Sequence, residues 1–279
     1  MKVSQVCYDC LKRLIYQAAQ LATPDILLRQ RAIQDGIKVL DNEFSYNQMS
    51  IVIATKIHEV IKEVTGNPDP YKAMKAKEME VAKELYPQVR LQYEDGLRGY
   101  LKLAAAANAI DFFKELGEVV EDMRKPVDFT MDDSDCLEGK LKSGSKVLYL
   151  ADNAGEVYFD LPLFNYMRRF ADATYVIKPS RVQNDISLED VRNSGLESKL
   201  GKVITTGIAS PGIIITLASE EFKHELESAD LIFAKGMGYY ESLSELPSKG
   251  RVFYCLKAKC KPVADSLEVP LDSYVAILR

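Results

Sequence analysis

Apolar and polar positions follow two different periods along this chain, and the change falls near its middle. Across residues 5–22, Val6, Cys10, Leu14, Ala18 and Leu21 recur at three- and four-residue spacing, which predicts a helix with one apolar stripe. Thr23-Pro24 reads as an N-cap followed by proline at the first helical position, opening a second helix. A third is predicted over residues 49–64, where Ile53, Ile57, Val60 and Val64 stay in phase. It stops at Gly66-Asn67-Pro68-Asp69-Pro70, because a residue preceding proline is pushed out of the helical region. Further helices are predicted from about residue 71 to 86 and, through the alanines at 104–107, from about 96 to 121.

Beyond Lys125-Pro126 the pattern turns polar. Residues 126–145, with Asp132, Asp133 and Asp135 close together, read as a linker or irregular excursion. From residue 146 short apolar runs take over: 146–150, 174–177, 202–205, 231–234 and 252–256, with a sixth candidate strand at 274–277. Helical patterns at 157–170, 188–200 and 212–226 separate the first four, and only a short turn of helix fits at 240–246. Ser187 with Asp190 resembles a capping box. Strands alternating with helices imply right-handed crossovers and a mainly parallel sheet. The expected architecture is therefore α/β: a helical domain over 1–125, the linker 126–145, and a sheet domain with flanking helices over 146–279.

Composition narrows the function. With 279 residues there is material for one large or two modest domains. Thirty-six basic against 41 acidic residues leave a net charge of -5, whereas a chain held to backbone phosphates normally carries a basic excess. A nucleic-acid partner is thus disfavoured. Only His58 and His224 are present, so a three-histidine metal site is excluded and metal chemistry shifts to carboxylate, amide or thiolate ligands. His58 lies near an apolar helix face and reads as a core or boundary residue; His224 reads as solvated. Five cysteines, an odd number, point to free or metal-binding thiols in a reducing compartment. No apolar run approaches the roughly 18 residues of a membrane span. Asp9, Lys12 and Arg13 interrupt the N-terminal apolar stretch, which argues against a signal peptide. A cytoplasmic location without a membrane partner is expected.

In an open parallel sheet, ligands bind beyond the carboxyl ends of the strands. The first predicted strand is followed by Asp152-Asn153, the second by Lys178 and then Asn184-Asp185, the third by Thr206-Gly207 and Ser210-Pro211-Gly212, the fourth by Lys235-Gly236. Asp152, Asn153 and Asp185 offer two carboxylates and an amide oxygen, hard donors that suit Mg²⁺, Mn²⁺ or a similar ion. The same Asp-Asn pair also serves as an ordinary helix cap. Lys235 on a glycine-flanked turn is placed to meet a phosphate, or is a surface lysine. Thr206, Gly207 and Ser210 precede a predicted helix whose free N–H groups suit an anion, or form a plain strand-to-helix turn. Asn108 and Asp111 share one face of an alanine-rich helix, directed to a polar cavity or to another helix. Glu156 and Asp160 read as acids supporting the ligands or as first-turn helix acids. Cys7 and Cys10 are half of a thiolate site, with Cys255 and Cys260 as the candidate other half; buried thiols are the alternative. No Walker A loop and no G-x-G-x-x-G follows any strand.

Together, Cys7-Tyr-Asp-Cys10, Asn67-Pro-Asp-Pro-Tyr71, Asn108-Ala-Ile-Asp111, Asp152-Asn-Ala-Gly-Glu156, Asn184-Asp185 and Ala234-Lys-Gly-Met-Gly238 with Glu241 resemble the metal-dependent damage-control phosphatases, nearly end to end. The N-terminal Cys-x-x-Cys looks like the cysteine-containing, stand-alone subfamily I. The resemblance implies a helical region packed on an α/β domain and one divalent ion (Mn²⁺, Ni²⁺, Co²⁺ or Mg²⁺) on Asp152, Asn153 and Asp185. It implies a phosphate contact at Lys235, with Asn108 and Asp111 lining the same cleft. It also implies hydrolysis of phosphomonoesters of small metabolites such as sugar phosphates, damaged nucleotides or cofactor intermediates. Asp152 and Lys235 become the catalytic candidates; Asn108, Asp111, Thr206, Gly207, Ser210, Lys235 and Gly236 become those for substrate and phosphate. A non-catalytic metal- or nucleotide-binding module and a carboxyl methyltransferase are the competing readings. No glycine-rich loop for S-adenosylmethionine follows the first strand.

Overall fold

A computed structural model describes residues 1–109, 114–142 and 144–279. The chain opens with helix α1 (Gln5–Ala22), whose stripe Leu11, Leu14, Ile15, Ala18, Ala19 and Ala22 is buried. Ser4 caps it, and Cys7 fills the position usually held by Glu, accepting the Ser4 N–H at 3.3 Å. The second helix, α2 (Ile26–Glu43), starts later than Thr23-Pro24 suggested. Asp25 is the residue whose carboxylate accepts the Leu28 N–H, at 2.9 Å. Next come α3 (Ser50–Thr65), ended by Gly66 at φ +67°, and α4 (Lys72–Arg90). The helix expected over 96–121 is divided into α5 (Leu97–Ala107), which ends at Asn108, and α6 (Leu116–Arg124).

The polar segment expected as a linker instead carries strand β1 (Phe129–Asp132) and helix α7 (Ser134–Lys140). Four residues at a sheet edge, half-buried and exposed in alternation, leave almost no apolar run, which is why the sequence hid this strand. Strand β2 (Lys146–Leu150) runs through a short 3₁₀ turn into α8 (Val157–Met167) and β3 (Asp172–Ile177). The next helical stretch splits at Gly195 (φ +68°) into α9 (Leu188–Asn193) and α10 (Glu197–Leu200) before β4 (Val203–Thr205). After a long connection come α11 (Glu220–Ser228), β5 (Leu231–Lys235), α12 (Gly236–Leu243), β6 (Val252–Lys257), α13 (Lys261–Leu267) and β7 (Tyr274–Leu278).

The seven strands lie in the order β1-β7-β6-β5-β2-β3-β4, all parallel except the β6–β7 pair. Side chains alternate across the sheet. Val147 and Tyr149 pack with α5 and α8 on one face, and Leu148 and Leu150 pack with α11–α13 on the other. Burial on both faces explains why β5 and β6 are buried at every residue. A separate core joins α1, α2 and α3 through Ile15, Leu40, Ile53 and Ile57. From β2 the chain crosses on the α8 face toward β3, while it returns to β5 on the α11 face. The gap between the carboxyl ends of β2 and β5 is thus the topological switch point, where ligands bind in open α/β sheets. Among the described residues no helix is long and apolar enough to cross a membrane.

Candidate active site

Two connections meet at the switch point and are zipped together by main chain. Ile186 donates its N–H to the Asp152 carbonyl at 2.9 Å, and Ala154 donates to the Asn184 carbonyl at 2.8 Å. Asn153 and Asp185 form an antiparallel bridge between them. Asp152, Asn153 and Asp185, far apart in sequence, are thereby neighbours. The end of β5 closes the third side. Gly236 has φ +76°, and a Cβ there would fall 1.9 Å from Asp152 Oδ2, so only glycine fits.

Behind these residues lies a buried polar network. Asn108, at the end of α5, donates Nδ2 to Asp152 Oδ2 and to Glu156 Oε1, both at 3.0 Å, while its Oδ1 accepts the Lys257 N–H at 2.9 Å. Asn153 also gives its Nδ2 to Glu156 Oε1, at 2.6 Å, which leaves the amide oxygen for a cation. Glu156 Oε2 meets Lys235 Nζ at 2.7 Å. The same ammonium holds Asp160 Oδ1 at 2.6 Å and the Ala104 carbonyl at 2.7 Å, and Tyr175 donates to Asp160 Oδ2 at 3.0 Å. Glu156 and Asp160 are thus supporting acids, linked through one lysine.

The charge balance at the floor is incomplete. Burial raises the Asp152 pKa well above the usual carboxylate range, and repulsion from Glu156 and Asp185 adds to it. Asp185 is pushed up to about 6, chiefly by burial, against the attraction of Lys178. Its buried Oδ2 makes no hydrogen bond, and Lys178 Nζ is 3.5 Å away. Lys178 is itself occupied by the Gly212 carbonyl and by Tyr239 Oη at 3.1 Å. Two crowded carboxylates, one with an oxygen that makes no hydrogen bond and only a long ion pair to Lys178, stand beside the Asn153 amide oxygen as hard donors that could hold a divalent ion. Among the described residues no three His, Cys, Asp or Glu side chains converge on one point.

This floor opens into a cleft of about 460 Å³. Its opposite wall comes from α1 and α3, with Val6, Leu11, Leu14, Ile51 and Ala54 presenting apolar surface. Arg13, Lys259 and Lys261 also line it, and Lys259 is close enough to Asp152 to pull its pKa down against the other influences.

Other expected site residues fall elsewhere. Lys235 has no exposure and does not line the cleft; it serves Glu156 and Asp160 from behind. Its charge is held by Asp160 and Glu156 more strongly than burial opposes it, so its pKa is raised. Thr206 is buried and donates Oγ1 to the Ile208 carbonyl at 2.8 Å. Gly207, at φ +76°, packs against Ser219, and Ser210 is buried with its Oγ unpaired. No helix begins at Gly212: α11 starts at Glu220, capped by Ser219, and the Ile213 N–H is given to Ser242 Oγ at 3.1 Å. The expected anion site at a helix N-terminus is therefore absent there, although Pro211 and Gly212 line the cleft. Asp111 lies outside the described residues.

Cys7, Cys10 and Cys260 line the cleft, whereas Cys255 is buried within β6 and does not. Burial raises the Cys10 thiol pKa and pushes Cys260 up to about 12. His58 is buried, with its pKa lowered to about 3 by burial and then by Lys62; His224 is exposed. On α1 the sequence points to Cys7 and Cys10 but not to the apolar residues beside them, which read as core, and Lys259 lies beyond the predicted strand end.

A family model described as the damage-control phosphatase ARMT1-like domain matches residues 3–275. The damage-control phosphatase PH1575 of Pyrococcus horikoshii is 35% identical over 284 residues, covering 99% of this chain and 98% of that one. A damage-control phosphatase of Archaeoglobus fulgidus is 32% identical over 285 residues, covering 99% of each. The crystal structure of the P. horikoshii protein, described as a DUF89 family protein, matches with a TM-score of 0.90 at 34% identity, over 100% of this chain and 99% of that one.

Proposed function

The chain belongs to the damage-control phosphatase family with the ARMT1-like domain, and from that premise we propose that it is a metal-dependent hydrolase of phosphomonoesters of small metabolites. The observation that carries the metal dependence is the floor of the cleft, where the buried Asp185 Oδ2 lacks a hydrogen bond beside the crowded carboxylate of Asp152. Asp152, Asn153 and Asp185 are the proposed ligands. A bound divalent ion such as Mn²⁺, Ni²⁺, Co²⁺ or Mg²⁺ supplies polarisation of a phosphoryl oxygen and a more acidic water.

The protein's own residues then have distinct tasks. Asn108 and Glu156 fix the orientation of Asp152 and Asn153, so that little reorganisation is needed when charge develops on the phosphoryl group. Lys235 neutralises Glu156 and Asp160, which keeps an acid-rich interior compatible with a phosphate dianion in front of it. Gly236, lacking a Cβ, leaves room for the Asp152 carboxylate. Arg13, Lys259 and Lys261 supply positive charge on the cleft walls, and the apolar surface of α1 and α3 receives the remainder of the substrate. In-line attack by water is favoured over attack by Asp152, whose carboxylate is assigned to the ion.

Phosphate release from a panel of small phosphomonoesters, with each of the four ions in turn, tests the reading. Activity that needs the ion and is lost in Asp152→Ala and Asp185→Ala is the expected result. Full activity in either variant overturns the site. Absence of release with every substrate and ion, alongside retained metal binding, favours a non-catalytic binding module.

A further inference from the structure

The connection from β3 to α9 carries Asp185; Lys178 at its start is held by Gly212 and Tyr239, and its other side-chain anchors include a set from α3, α4 and the turn between them. Lys62 Nζ donates to the Arg181 carbonyl, and Asp69 pairs with Arg181 Nε at 3.3 Å. His58 Nε2 lies 3.1 Å from Gln183 Nε2, and Gln183 holds a left-handed φ of +44° two residues before Asp185. On α4, Lys75 pairs with Asp190 at 2.9 Å, and Glu78 Oε2 accepts from Asn184 Nδ2 at 3.0 Å. The last contact is the most consequential. Asn184 is fully buried, adjoins Asp185, and accepts the Ala154 N–H through its carbonyl, next to Asn153. One residue therefore touches both ligand-bearing connections, and Glu78 holds its side chain.

We propose that Glu78 is a positioning residue for the metal site: from α4 it fixes Asn184 and thereby sets Asp185 against Asp152-Asn153. The helical half of the chain then does more than line the substrate cleft. It determines the geometry, and so the affinity, of the ion site on the sheet. Residues that support ligands in this way typically change metal affinity about 10- to 100-fold when removed. The inference rests on Asp152, Asn153 and Asp185 being the ligands.

The test is Mn²⁺ binding alone, measured by calorimetry and by the electron paramagnetic resonance signal of free Mn²⁺ on chelator-stripped full-length protein. Glu78→Leu keeps a side chain of similar size without the acceptor and is expected to weaken binding about 10- to 100-fold. Glu78→Gln keeps an acceptor oxygen and is expected to bind within about threefold of wild type, because only the charge is lost. Asn184→Ala reads the same link from the other side, and keeps the test intact if Glu78→Leu does not fold. The double variant is expected to lose no more than the worse single variant, since both changes cut one path. Wild-type-like binding by folded Glu78→Leu and Asn184→Ala overturns the positioning role. Equal losses in Glu78→Gln and Glu78→Leu overturn it too. Failure of the underlying ligand assignment is distinguishable, since Asp185→Ala then binds Mn²⁺ as wild type does.

Discussion

Replacing Asp185 by Asn should stabilise the metal-free protein while removing its response to metal. Burial raises the Asp185 pKa from 3.8 to about 6. A raised carboxyl pKa means the folded state binds the proton more tightly than the unfolded chain, so ionising the group opposes folding. The effect is absent below the unfolded pKa, grows between 3.8 and about 6, and is complete above that. Just over two pKa units correspond to about 3 kcal/mol at pH 8 and about half of that at pH 5. Asn has the shape of the neutral carboxyl group, and a pKa of about 6 already sets the attraction of Lys178 against burial, so the recovered stability is about 1–3 kcal/mol between pH 5 and pH 8. For a chain of this size that is a rise in Tm of roughly 2–6 °C. Thermal melts of chelator-treated wild type and Asp185→Asn at pH 5 and pH 8, each with and without Mn²⁺, provide the assay. The gain should be larger at pH 8, and Mn²⁺ should raise the Tm of wild type only. A less stable variant at pH 8, or equal stabilisation of both proteins by Mn²⁺, refutes the reasoning.

Three further outcomes follow from the same geometry. Mn²⁺ binding should release protons and weaken as pH falls, by about tenfold between pH 7 and pH 5 from Asp185 alone, because the ion and the proton compete for one carboxylate. Calorimetry in buffers of different ionisation enthalpy checks this, and pH-independent affinity contradicts it. Lys235→Met leaves Glu156 and Asp160 without their shared cation and should cost about 3–5 kcal/mol of stability, read as a large fall in Tm. Gly236→Ala puts a methyl group onto Asp152 Oδ2 and should lower Mn²⁺ affinity by about tenfold or more, while Gly250→Ala, in open space at a similar φ, should not.

Much of the sheet was legible because burial on both faces gives continuous apolar runs: β2 has its predicted bounds, and β5 and β6 extend one residue further. β1 was hidden because an edge strand of four residues has no such run. The helix predicted at 212–226 begins only at Glu220, for a different reason. Its apolar residues fit a helical stripe, but Gly212 at φ +62° and the bond from the Ile213 N–H to Ser242 hold the chain in an irregular path. Strand-end position singled out Asp152, Asn153 and Asp185 as candidates, and main-chain bonds bring the three together. The same rule placed Lys235 at the correct strand end but not on the correct side. Which side a strand's last residue faces depends on the carboxylates packed behind it, here Glu156 and Asp160, one and two helical turns beyond Asp152. The network of Glu78, Asn184 and Asn108 joins residues dozens to more than a hundred positions apart, and no local pattern encodes it.

An anomalous difference map at the manganese absorption edge, from crystals of the full chain grown with Mn²⁺, locates the ion. One strong peak is expected at the carboxyl ends of β2 and β3, within coordination distance of Asp152, Asn153 and Asp185, and none in crystals of Asp185→Asn. A peak elsewhere, at the Cys7, Cys10 and Cys260 wall for example, or one that persists in the variant, contradicts the assignment of these three ligands.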